Sequence, residues 1–276
     1  MDFYEEHMER LYLREWIRLY SPRIVLGFIV WFLFKIRLAR IKSFISPVKG
    51  DIREQLIALD QVPDQARPEV VAILDQLTGQ GFVDPLLESK LDGSNRDHLR
   101  MIGVRLLARH KSGRYVASVM IMFDEEASPQ RGGDAIYTFI GLEKTITTSV
   151  GKPGIGDTPG NSVKYYPESS FEDLLEHHRQ AIAQRGDSYI SIHGQEEMLT
   201  YTQVLLDRYV DHLVQRGYFV KVEPEEGPEL PSVIDYEHEK GTDEKGPNPL
   251  IQVVIGLSAF LIVFMYVVFK KVFWGP

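Results

Sequence analysis

The sequence predicts an α+β domain at residues 48–222, carried between two apolar segments suited to a membrane. Three observations carry this. Apolar runs of strand character flank the turn "KSGR" at residues 111–114, as in a β-hairpin. Hairpin-linked strands imply an antiparallel sheet, and two helical patterns follow that would pack on one face of it. The chain also holds one long uncharged run near each end, at residues 24–34 and 250–269.

Composition bounds the chemistry. The chain has 276 residues, 44% of them hydrophobic and 25% charged, which is the balance of a folded protein. A net charge of −8 argues against a sequence-independent hold on nucleic acid. There is no cysteine, so disulfides, thiolate metal sites and cysteine nucleophiles are excluded. The first twenty residues contain four glutamates and no apolar run, unlike a secretory signal.

Taken in order, residues 1–21 predict an amphipathic interfacial helix. Tyr4, Met8, Tyr12, Trp16 and Tyr20 recur every four residues, and Glu5, Glu6, Glu9, Arg10, Arg14 and Arg18 lie opposite. Ser21–Pro22 reads as a helix start, so residues 22–47 predict a membrane-inserted helix. Its uncharged part covers only about 16 Å, and Arg23, Lys35 and Arg37 must snorkel if it crosses. Crossing, partial insertion and a core helix of a soluble domain all remain open on this pattern.

Within the domain, "PEVVAILDQLTGQGF" (68–82) predicts a helix opened by proline and stopped by Gly79 and Gly81. Residues 101–109 and 115–123 predict the hairpin strands, "AIYTFIGLEKTITTSV" (135–150) a further strand pattern, and residues 163–166 a short strand that joins them. "ESSFEDLLEHHRQAIAQRG" predicts a helix capped by Ser169 or Ser170 and burying Phe171, Leu174, Leu175 and Ile182. Residues 194–219 predict another, with Met198, Tyr201, Leu205, Tyr209, Leu213 and Val214 on one side and Gly217 as its stop.

Beyond the domain, residues 223–248 predict an acidic flexible tether. Residues 249–271 predict a transmembrane helix, whose twenty uncharged positions make about 30 Å, and residues 272–276 a short tail. Basic residues at 35–53 flank the domain, and those at 10–23 lie on its side only if residues 24–34 do not cross; the positive-inside rule favours a cytoplasmic domain in both topologies, by a narrower margin if they do cross.

No motif discloses a chemistry. "GKPGIGDTPGN" (151–161) lacks the lysine-serine ending of a phosphate loop. The acid–base candidates are Glu176, His177, His178 and His193, and solvated helix polarity accounts for them more simply. Adjacent histidines on a helix point about 100° apart, so no metal is expected, nor any cofactor. These features predict an integral membrane protein that is non-catalytic. It would be an accessory or scaffolding subunit, with the lipid bilayer and other membrane subunits as partners. Neither nucleic acid nor an identifiable small molecule is expected. The alternative is a membrane-tethered enzyme acting on a lipid or membrane-adjacent substrate.

Overall fold

The computed structural model describes residues 2–20, 24–35, 44–92, 100–124, 127–150, 158–185 and 188–222. All of these belong to one compact unit, residues 1–234. The predicted tether, the apolar run 250–269 and most of the glycine-rich loop, residues 151–157, lie outside the described residues.

The centre is a seven-stranded sheet. Its strands are β3 (Leu56–Ile57), β4 (Phe82–Asp92), β5 (Arg100–His110), β6 (Val116–Phe123), β7 (Pro129–Phe139), β8 (Thr145–Ser149) and β9 (Asn161–Tyr165). They pair in sequence order. The predicted hairpin is present, with Gly113 at φ 72° in its turn, a value that a side chain would disfavour. The sheet is mixed, because β8 and β9 pair in parallel while the other pairs are antiparallel. β4 was not anticipated. Its Asp84 takes φ 54° beside a register shift between Val83 and Leu86, which absorbs Pro85.

Helices cover both faces, not one. On the first face, α3 (Arg67–Gly79) and α4 (Phe171–Ala183) pack on Val104, Leu106, Val119, Ile121 and Ile136. On the second, the first turns of α5 (Gln195–Gln215) bring Met198 and Leu199 against Leu107, Val116 and Phe139, together with Ile192. Alternation along β5 makes this possible, since Leu106 and Leu107 point to opposite faces. The helix ends obey the expected signals: Ser170 accepts from the Asp173 N–H at 3.1 Å, and Gly217 follows α5 at φ 68°. Val214, however, is exposed.

The N-terminal region departs from the helical expectation. Residues 2–6 are a strand, β1 (Asp2–Glu6), at the centre of a second sheet between β10 (Phe219–Val222) and β2 (Phe44–Lys49). Both neighbours are antiparallel, so β1 exchanges backbone hydrogen bonds on each side, which a local helix could not better. β2 also ends the predicted 22–47 helix early, and Pro47 is tolerated there because β2 is an edge strand. Among the described residues of this region the α-helices are α1 (Leu13–Leu19) and α2 (Ile24–Lys35). Four of the five stripe residues converge: Tyr4 and Trp16 are buried, with Met8 and Tyr20 beside them, in a core shared with Val30, Phe34, Val210, Leu213 and Tyr218, while Tyr12 is exposed. Among the described residues no helix is long and apolar enough to cross a membrane.

Candidate functional site

The four acid–base candidates do not meet. His178 lies on α4 in register with Phe171, Leu174 and Leu175 and is fully buried against the first face of the sheet. Its Nε2 lies 2.9 Å from Thr138 Oγ1 on β7, and its Nδ1 lies 2.7 Å from Thr148 Oγ1 on β8. Thr138 spends its own proton on the Arg114 carbonyl at 2.9 Å. Thr138 must therefore accept from Nε2–H, and Thr148 must donate to Nδ1. Burial pushes the pKa down to about 3, so the ring is neutral at ordinary pH. His178 is a hydrogen-bonded tie between α4 and two strands, with Tyr115 edge-on at 5.6 Å. It is not part of a solvated helix face.

The other three are peripheral. His177 is half-buried and stacks on Tyr166, ring centroids 4.1 Å apart and planes within 7°. Glu176 is exposed and accepts from Gln180 Nε2 at 3.0 Å. His193 is exposed just before α5, beside Ile192 of the second-face core, and its backbone N–H donates to Glu197 at 2.7 Å. His178 and His193 thus belong to opposite sides of the sheet. Among the described residues no group of three His, Asp or Glu side chains could hold a metal.

Two charged clusters escaped the sequence reading. On β4, Glu88 is fully buried and takes a 2.6 Å hydrogen bond from Arg105 Nε on the adjacent strand, with Lys90 also against its carboxylate. Burial and the Arg105 charge push Lys90 down to about 8, against the pull of Glu88. One anion between two cations leaves a partly exposed amine with a substantial neutral fraction near physiological pH. A signal was present only on β5, where Arg105 interrupts an apolar run. The second cluster pairs Glu15 of α1 with Arg216 at the end of α5, in two contacts of 2.7 and 2.6 Å. No local signal links residues 201 apart.

A cavity of about 310 Å³ opens at the start of α4, lined by Arg131, Gly132, Asp134, Ser169 and Phe171 among others. Its charges cancel, because Arg131 and Asp134 form two hydrogen bonds of 2.9 and 2.8 Å with each other. Compared with protein family models, curated proteins and solved structures, the chain matches none.

Proposed function

We propose that the protein is a membrane-anchored, non-catalytic accessory or scaffolding subunit of a larger membrane assembly, with its folded unit on the cytoplasmic side. The observation that carries this reading is the dispersal of its acid–base side chains. His178 has both ring nitrogens committed to threonine hydroxyls, while His177 and Glu176 sit at the surface of α4 and His193 sits beside the opposite core. A general acid and a general base must reach one bound substrate, and these side chains lie in a buried core, on the surface of α4 and beside the opposite core. The uncharged run at 250–269 supports the anchor, and the basic residues around 10–53 support the orientation.

The test is affinity purification of the full-length protein in mild detergent, with co-purifying chains identified by mass spectrometry. A stoichiometric set of membrane subunits is expected. A solitary chain, with cellular function lost on His177→Ala or His193→Ala, would overturn the reading in favour of a membrane-tethered enzyme acting on a lipid or membrane-adjacent substrate.

A further inference from the structure

The outward side of α2 has a definite chemistry. Ile24, Val25, Phe28, Phe32 and Lys35 are exposed, and Gly27, Val30, Leu33 and Phe34 are buried. At 3.6 residues per turn the five exposed positions fall within an arc of about 100°, and the four buried ones within about 120° on the other side. The buried arc is held closely: a Cβ on Gly27 would meet the Trp16 carbonyl oxygen at 2.8 Å, and Phe34 stacks on Trp16 at 5.0 Å. The exposed arc is apolar until Lys35, with Val25 68% exposed and Phe28 48%. Phe28 also stacks on Phe32.

We propose that this arc, Ile24, Val25, Phe28 and Phe32, docks in the plane of an anionic bilayer surface and seats the folded unit on the membrane. The inference rests on the membrane-anchored reading above and adds the contact surface and the lipid class. Three facts select lipid as the occupant. First, α2 has twelve residues, about 18 Å, and one side of it is occupied by protein. It can offer a single face to a bilayer but cannot be surrounded by one. Second, charge is segregated around it. Residues 16–50 contain seven Lys and Arg and no Asp or Glu, in a chain of net charge −8. Such a segment is attracted to anionic headgroups, while the acidic remainder is repelled. Third, the four side chains together expose on the order of 400 Å², taking a phenylalanine as about 200 Å². That is about half of what each side of a stable protein–protein interface buries, yet enough for an interfacial helix helped by charge. Geometry permits it. β10 pairs with β1 beside this core, and the residues between Val222 and Leu250 extend at most about 100 Å. A bilayer anchor at 250–269 therefore keeps α2 within reach of the same surface.

The absence of cysteine makes the test direct. Single spin labels are placed by Phe28→Cys, Val25→Cys, Leu142→Cys and Leu257→Cys in the full-length chain, which is reconstituted into nanodiscs of phosphatidylcholine with or without phosphatidylserine. Leu142 is an exposed residue of the connection between β7 and β8, and Leu257 reports the anchor. Accessibility to oxygen and to a water-soluble nickel chelate is read by power saturation. Labels at 28 and 25 are expected to be oxygen-accessible and nickel-shielded, with the label at 142 the reverse. Removing phosphatidylserine should raise nickel accessibility at 28 severalfold. Nickel access at 28 and 25 in anionic discs, with 257 in lipid, overturns the docking and leaves the anchor standing. An aqueous 257 label overturns the anchor as well. Shielding of 28 from both reagents whatever the lipid means that a protein surface covers the arc, which also overturns the proposal.

Discussion

Substituting Glu15 should release the N-terminal helices from the rest of the fold. The Glu15 carboxylate receives Arg216 Nη1 at 2.7 Å, Arg216 Nη2 at 2.6 Å and the Tyr12 backbone N–H at 2.7 Å. Both side chains are nearly enclosed, 1% and 9% exposed. Arg216 also lies over the Tyr12 ring at 4.4 Å. Breaking a buried pair by neutralising one member leaves the other charge stranded, which costs about 3–5 kcal/mol. Glu15→Gln keeps an acceptor for Tyr12, so we place it at the low end, about 3 kcal/mol, or a fall in Tm of roughly 6–12 °C for a unit of this size. Replacing both members, Glu15→Met with Arg216→Met, should recover most of that loss.

Trp16 offers the assay. It is buried and stacks on Phe34, and with Trp31 and Trp274 changed to phenylalanine its fluorescence reports the core beneath α2. Acid should tell the same story. Burial alone would raise the Glu15 pKa, but the Arg216 hydrogen bonds, the Tyr12 N–H and the Arg216 and Arg14 charges outweigh it and hold it below 4.5. Its contribution is therefore full above that value and lost as pH falls through the lowered folded pKa, and Glu15→Gln should lack this acid-side slope. Additive losses in the double variant, within about 0.5 kcal/mol, would refute the coupling.

Three further outcomes follow from the same geometry. His178 should show no imidazole titration by NMR between pH 5 and 8 and should hold the Nε2–H tautomer; because its folded pKa is depressed to about 3, it opposes folding as pH falls from about 6.5, by up to about 1.4 kcal/mol per unit, and His178→Gln should flatten that slope in unfolding measurements. At the buried cluster, Glu88→Gln should cost about 3–5 kcal/mol by stranding Arg105, whereas Lys90→Met should be neutral or slightly stabilising at pH 7, and competitive acylation read by mass spectrometry should find Lys90 half-deprotonated near pH 8. Gly27→Val should cost about 1–3 kcal/mol by forcing α2 off the Trp16 carbonyl, seen as faster amide exchange in α1 and α2.

Which elements could be read in advance follows from how local their causes are. α4 was legible because its cap, Ser170, and its buried row at 171, 174 and 175 lie within one short segment. The same row includes position 178, so its spacing already carried the burial of His178, while the doublet of histidines suggested solvated polarity. β1 was not legible. Aromatic residues four apart satisfy a helix, and the partners that make residues 2–6 a strand stand at 219–222 and 44–49. β4 was hidden by Pro85 and Glu88, each of which reads against a central strand. Its acceptability depends on Arg105 directly across the ladder, and that register exists only once the sheet is formed.

The pairing of β1 with β10 brings the two ends of the described chain together in one small sheet. The described chain starts and finishes there, with Phe3 opposite Val222 and Glu6 opposite Phe219. α2 packs through Val30 and Phe34 on the core that this sheet shares with α5. The seven-stranded sheet has cores on both its faces, so among the described residues its open surfaces are loops and edges, not a bare apolar face. Beside the smaller sheet's core, α2 carries the exposed row Ile24, Val25, Phe28 and Phe32 that burial inside the unit leaves uncovered.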